Sequence, residues 1–335
     1  MGKSDIWLTI AIPTYNRCDL LRQTIESVLN QRIDGIEVIV SDNASTDSTK
    51  AMMEKFCQES DIRYFCNSEN LGMDRNFLNC LQKARGEYIH LLSDDDILLP
   101  GAVEKIMSLI EQEKPDYINL NSYTYSTDEY NPDDKKPPRI KLDRDIVTNN
   151  KNLYMKYLGV YITYISATVI KRNNIIKIKN PEKYFDTHFL HAHLVLDSLK
   201  DKESKVIITK EPYLAAKNNN SGGFDLYDVW IKQYKNLLLN TAVRNGFDYK
   251  LMKQIYINDV NGFIRDSILK YRVTHNTYGM KYTRLLFQCT YMYPQIWGRT
   301  YIYAILPRCI VKKIYLYNEK KKLIKKRELH KTGER

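Results

Sequence analysis

The sequence predicts an α/β protein: a mostly parallel sheet with helices on both faces, followed by a helical C-terminal region. Two observations carry this. Over the first 120 residues, short apolar runs alternate with stretches whose apolar residues recur at helical spacing, and the connections are short. A polar segment also follows each of the first four apolar runs, where parallel sheets bind ligands beyond their strand ends.

Each element has its own signal. WLTIAIP (7–13) reads as a buried strand stopped by Pro13, and Asp19 caps a helix with Leu21, Ile25, Val28 and Leu29 on one face. EVIVSD (37–42) is the second strand. Ser45 to Asp47 then turn the chain into a helix bearing Met52, Met53 and Phe56. IRYFC (62–66) is the third strand, and Gly72 precedes a helix with Phe77, Leu78 and Leu81. EYIHLLS (87–93) and YINLNSY (117–123) are the fourth and fifth strands, flanking a helix with Val103, Ile106 and Ile110. Residues 124–150 read as a loop or insertion, 184–199 as a helix, and VIITKEPYLAAK (206–217) as a strand. KNNNSGGF (217–224) is either a loop closing over a ligand or a linker. Two regions result: 1–220, with halves 1–115 and 116–220, and a helical, tyrosine-rich region 221–335.

Composition narrows the function. Hydrophobic residues make up 43% and charged residues 27% of 335 positions, as in a folded globular chain. From Lys312 to Arg335 there are ten Lys or Arg against three Glu, so +7 of the formal +11 lies in this tail. A basic tail suits nucleic acid, an anionic membrane or only solvent. The six cysteines include no C-x-x-C pair, which suits a reducing compartment. The N-terminus does not read as a signal peptide, and no apolar run reaches a membrane-spanning length. The expected location is the cytoplasm. The strand-end segments match neither a dinucleotide fingerprint, a P-loop nor a hydrolase elbow.

The segments at the strand ends are PTYNR, SDNASTD, NSENLGMDRN and SDDD. Acids after a buried strand suit a hard divalent cation, which prefers oxygen ligands and completes its shell with substrate phosphates. A turn with a helix cap is the bland alternative. In sequence, IAIPTYNR, VIVSDNASTDST, NLGMDRNF and ARGEYIHLLSDDDILLP resemble the family 2 glycosyltransferases, which have the GT-A (Rossmann-like) fold. The resemblance is strong over about 1–115 and weaker over 150–220. It is greatest to enzymes of O-antigen and capsule synthesis, and among these the sequence is most like the abequosyltransferase-like group.

That resemblance implies an inverting sugar transfer from a nucleotide-diphosphate donor to a lipid-linked (polyprenyl diphosphate) oligosaccharide, with Mn2+ or Mg2+ as cofactor. It implies that Pro13, Thr14, Tyr15 and Arg17 line the nucleotide pocket, that Asp42 and Asn43 meet the base or ribose, and that Arg75 meets the base or diphosphate. The family's Asp-any-Asp pattern lies seven and five residues before a proline. Counted back from Pro100, those places hold Ser93 and Asp95. Asp95 thus aligns with the metal ligand, Asp94 faces the donor, and Asp96 lies beside the metal, positioning water or capping the next helix.

The general base is expected in FDTHFLHAHL (185–194), where His191 and His193 stand near the family's Glu-Asp place. A near-neutral imidazole can accept the acceptor's proton. His191 ranks before His193, with Asp186 behind them and Asp197 last. In the C-terminal third, YMYPQIWGRTYIYAILPRCIVKKIYLY (291–317) mixes aromatic residues with cations. It suits a membrane interface, which would place the protein peripherally on the inner face of the cytoplasmic membrane. Other readings are a UDP- or dTDP-sugar donor for another surface polysaccharide, a nucleotidyltransferase, or a nucleic-acid-binding protein led by the tail. The charge pattern ranks the last low, so no nucleic-acid partner is expected.

Overall fold

The sheet grows from β1 (Leu8–Thr14), whose seven residues are all buried. The coordinates are a computed structural model describing residues 6–31, 33–133, 136–201, 203–218, 225, 227–274 and 280–331. β2 (Ile36–Asp42) and β4 (Tyr88–Leu91) flank β1 in parallel, and β3 (Ile62–Cys66) lies parallel to β2. Burial on both faces is why these strands read as nearly continuous apolar runs.

Leu8, Ile10 and Ile12 share one apolar cluster with Leu21 and Ile25 of α1 (Cys18–Leu29), Met52 and Met53 of α2 (Thr49–Glu59), and Ile106 of α4 (Ala102–Glu113). Each such side chain contributes about 1.5–3 kcal/mol of transfer free energy. α3 (Met73–Lys83) packs on β1 and β2 outside that cluster, on the other face. Before β4 the chain passes so close to β1 that a Cβ on Gly86 would sit 2.6 Å from the Thr9 nitrogen. Only glycine fits there.

Beyond β4 the sheet is mixed. β8 (Thr168–Lys171) pairs antiparallel with both β4 and β6 (Tyr117–Tyr125), so the fifth predicted strand is not a neighbour of the fourth. β9 (Val206–Lys217) runs parallel to β6 and takes β5 (Ile97–Leu98) antiparallel on one side. The full order is β3-β2-β1-β4-β8-β6-β9-β5. Within 124–150, the first two residues finish β6, and the other described residues are irregular apart from β7 (Ile146–Thr148), which pairs with β9. The helix expected over 184–199 is shorter. Asp186 and His188 adopt left-handed backbone angles (φ 64 and 62), and the helix α5 spans only Leu190–Ser198. Of KNNNSGGF, only Lys217 and Asn218 lie within the described residues.

The chain divides into two compact units, 1–223 with 240–251, and 224–239 with 252–335. The second is helical and tyrosine-rich. Tyr234 is fully buried and donates to Asp259 Oδ2 at 2.6 Å, and burial pushes that carboxyl up to about 6. The Tyr256 hydroxyl finds the Ile231 carbonyl at 3.1 Å. Buried phenols need such acceptors. Its last helix, Arg308–Lys331, leaves Leu316 and Tyr317 exposed. Among the described residues no helix is long and apolar enough to cross a membrane.

Candidate active site

The parallel register brings the ends of β1 and β2 together, with Thr14 beside Asp42. The chain leaving β4 stays in step, since the Leu92 amide donates to the Ala11 carbonyl at 3.0 Å. Asp94 therefore arrives next to Thr14, whose hydroxyl donates to Asp94 Oδ2 at 2.7 Å. Arg17, in the turn before α1, places Nη1 3.1 Å from Asp94 Oδ1 and 3.2 Å from Asp95 Oδ2. The Ser93 hydroxyl donates to Asp95 Oδ1 at 2.5 Å.

All three acids are buried, with Asp95 the most open at 9% exposure. Burial pushes Asp94 up to about 6, with Arg17 working against it and Asp95 adding to it. Burial and the neighbouring Asp95 push Asp96 up to about 7. The Arg17 guanidinium is raised: burial lowers it, but Asp94 and Asp95 outweigh that.

Asp96 sits elsewhere than the sequence suggested. Its carboxylate accepts from the Tyr164 hydroxyl at 2.8 Å, from the Ser166 hydroxyl, and from the Lys217 amide at 2.9 Å. It points into the protein and ties β4 to the approaches of β8 and the end of β9, so its oxygens are spent on chain donors. A metal role for Asp96 would require it to give up these bonds. The Tyr125 hydroxyl holds the Asp95 carbonyl at 2.9 Å.

At the end of β2, Asp42 is fully buried. It accepts from the Tyr64 hydroxyl at 2.6 Å and from the Ser45 amide at 2.9 Å. Asn43 is used as a latch: its oxygen accepts from Leu71 N (2.9 Å) and Asn67 Nδ2 (3.0 Å), and its nitrogen donates to Asn70 Oδ1 (2.7 Å). It ties the 67–72 segment to the end of β2. Pro13 is buried at the end of β1, whereas Tyr15 is 40% exposed at the rim. Arg75 lies over the Phe185 ring (4.4 Å) and donates to Asp186 Oδ1 at 3.2 Å.

The two histidines ranked first for the base lie inside the protein. His191 Nε2 donates to the Thr163 carbonyl at 2.9 Å, so Nδ1 carries the lone pair, and Nδ1 has no partner among the described residues. His193 stacks on Tyr184 at 4.3 Å and meets Thr241 Oγ1 through Nδ1 at 2.9 Å. Burial pulls His191 down to about 4 and His193 to about 3. Burial of this kind favours the neutral imidazole at both positions. Asp197 binds Tyr184, Arg244, Asn245 and Lys183. Asp186 stays at the rim, with 82% of its side chain exposed. The turn that carries it is fixed by Asp74, which accepts from the amides of His188 (3.0 Å) and Leu190 (3.3 Å).

Sequence reasoning missed Tyr64, Tyr164, Ser166 and Asp74. Tyr64 alone left a signal. The β2–β3 register sets it opposite Val40, two residues from Asp42 and on the same face of the sheet.

Among the described residues, no group of three His, Cys, Asp or Glu is placed to hold a metal by itself. The donor set still fits a divalent cation. It consists of hard oxygens from Asp95 and Asp94, and a guanidinium already stands between them as a cation would. Substrate phosphates would complete the shell.

The family model "Glycosyl transferase family 2" matches residues 9–178, half of the chain, and spans every one of these rim segments up to Arg75 and the acids. The chain belongs to glycosyl transferase family 2. This family 2 glycosyltransferase is 26% identical over 225 residues to abequosyltransferase RfbV of Salmonella typhimurium, covering 64% of this chain and 67% of that one. It is 40% identical over 102 residues to the GalNAc(5)-diNAcBac-PP-undecaprenol beta-1,3-glucosyltransferase of Campylobacter jejuni, covering 30% of this chain and 33% of the relative. The S. aureus TarS 1-349 structure in complex with UDP-GlcNAc superposes with a TM-score of 0.64 over 88% of this chain and 82% of that one, at 14% identity. At such identity the likeness shows the fold alone, which is GT-A.

Proposed function

We propose that this glycosyltransferase moves a sugar from a nucleoside-diphosphate donor onto a lipid-linked oligosaccharide, in the synthesis of O-antigen or capsule. The observation that carries the proposal is the buried Asp94–Asp95 pair bridged by Arg17 beside Asp42, at the ends of parallel strands. A CDP-linked dideoxyhexose such as CDP-abequose is the first donor to test, because the RfbV relative is an abequosyltransferase. The diphosphate-linked lipid acceptor is supported by the name of the Campylobacter relative. UDP- and dTDP-sugars are the alternatives.

In this reading Asp42, held in place by Tyr64, accepts hydrogen bonds from the nucleoside. Arg17 and Arg75 bind the diphosphate, for which a guanidinium is well shaped. Asp95, with Asp94 beside it, would hold Mn2+ or Mg2+, and such a cation offsets charge on the leaving diphosphate. Asp94 faces the donor sugar. Asp186 is the base of choice at the rim. It takes the proton of the acceptor hydroxyl as the oxygen attacks the anomeric carbon, and the bond to the diphosphate breaks with inversion. The exposed apolar residues Trp297, Ile305, Leu316 and Tyr317, together with the basic tail, support peripheral contact with an anionic membrane carrying the acceptor.

The test is a panel of nucleotide sugars with purified protein, an isolated lipid-linked acceptor fraction, and Mn2+ or Mg2+. Acceptor-dependent release of one nucleoside diphosphate is expected. Absence of release and of product across the whole panel would refute the reading.

A further inference from the structure

The acid triplet must be neutralised even when no substrate is bound, because three adjacent buried carboxylates cannot all carry charge without partners. Arg17 supplies that partner. Its Nη1 bridges Asp94 and Asp95 at 3.1 and 3.2 Å, in the place where the donor oxygens would meet a cation. The bridge is built to be broken. Arg17 is anchored through its backbone, since its carbonyl accepts from Leu21 N at 2.9 Å at the start of α1. Its side chain is 25% exposed, against 6% and 11% for the two carboxylates it covers. The guanidinium can therefore turn outward while the acids stay fixed by Thr14, Ser93 and the Tyr125 bond to the Asp95 carbonyl. A guanidinium also prefers a diphosphate, which offers more charge and more acceptor oxygens than two shared carboxylate atoms.

We propose that Arg17 is a resident counter-ion that closes the Asp94–Asp95 pair to divalent cations until a nucleoside diphosphate draws it away. Metal binding and donor binding are then coupled through one side chain, and metal alone binds poorly. This rests on the donor reading above and adds the order of events to it. Arg17 is here a positioning and gating residue, and the coupling it creates must be reciprocal.

The test uses full-length protein and free-Mn2+ titration followed by electron paramagnetic resonance. Mn2+ is added alone and with CDP, UDP, GDP or dTDP. Wild type should bind Mn2+ weakly alone, and at least about tenfold more tightly with the matching nucleotide. Arg17→Gln should bind Mn2+ alone about tenfold more tightly than wild type and lose most of the nucleotide effect. Arg17→Lys, which keeps the charge but cannot bridge both acids, should fall between the two. It also serves as the folded control if the Gln variant is unstable. Equal or weaker Mn2+ binding by Arg17→Gln, or by Arg17→Lys if only that variant folds, overturns the proposal. Tighter binding in the variant, with no nucleotide effect on wild type, overturns the donor reading and the opening step while leaving the counter-ion role standing.

Discussion

Thr14 and Asp94 are 80 positions apart in the chain, yet the Thr14 hydroxyl donates to Asp94 Oδ2 at 2.7 Å. Two parallel strands in register make this contact, and with it the rim on which the proposed chemistry depends. β1 delivers the hydroxyl and β4 delivers the acid, and neither residue is more than 4% exposed.

Asp95 is the carboxylate best placed for a metal. Asp95→Ala should reduce turnover at least about a thousandfold, because charge on the leaving group would no longer be offset. Melting temperature should change little, since loss of one of three adjacent buried acids relieves repulsion and leaves Arg17 paired with Asp94. Turnover within a few-fold of wild type would sink the metal assignment.

Asp186→Asn should lower kcat about a hundred- to ten-thousandfold, the usual worth of a general base, with donor affinity nearly unchanged. Steady-state kinetics alongside nucleotide titration separates the two quantities. A weaker donor Kd with unchanged kcat would mean that Asp186 acts only by holding Arg75.

His191 carries a different expectation. Its imidazole is buried neutral and pulled down to about 4, so its contribution is complete above its unfolded pKa. That contribution is lost as pH falls from about 6.5 towards 4, because the unfolded chain binds a proton the folded one refuses. His191→Gln should reduce the protons taken up on unfolding in that window by about one, measured by denaturation at several pH values. Turnover at neutral pH should persist. A variant that folds but does not turn over would return His191 to the catalytic machinery.

Tyr64→Phe removes a hydrogen bond to the buried Asp42 carboxylate. A bond to a charged group is worth about 1.5–3 kcal/mol, and that much stability should be lost. Nucleotide affinity should fall as well, because Asp42 loses the group that aims it. Unchanged nucleotide binding would remove Asp42 from the pocket.

Gly86→Ala tests the fold rather than the site. The added Cβ would meet two backbone atoms, the Thr9 nitrogen at 2.6 Å and the Leu8 carbonyl carbon at 2.8 Å. A loss of about 1–3 kcal/mol or more is expected in a denaturant titration, since neither strand can give way. A neutral result would contradict the β1–β4 approach.

Much of this was legible in the sequence where local pattern decides the outcome. The runs at 7–13, 37–42, 62–66 and 87–93 are strands because alternating helices bury them on both faces. Residues just past the end of a parallel strand must lie at the rim, which located Asp42, Asp94 and Asp95. Long-range partners were not legible. Asp96 reads as a residue beside the metal that positions water or caps the next helix, but Ser166, 70 residues away and just before antiparallel β8, donates to it. Histidine spacing within 190–198 could not reveal that both rings face inward, because α5 is apolar nearly all round. The break before that helix was hidden too. Asp186 and His188 take left-handed angles with no glycine or proline to mark them, and Asp74, from a distant helix, holds the turn.

The most direct test is calorimetric titration of the purified protein with CDP, UDP, GDP and dTDP, each with and without Mn2+. The expected result is one nucleotide that binds at the rim, more tightly with metal, with binding weakened in Asp42→Ala. Absence of binding by every nucleoside diphosphate under every metal condition would contradict a donor site at the ends of β1, β2 and β4.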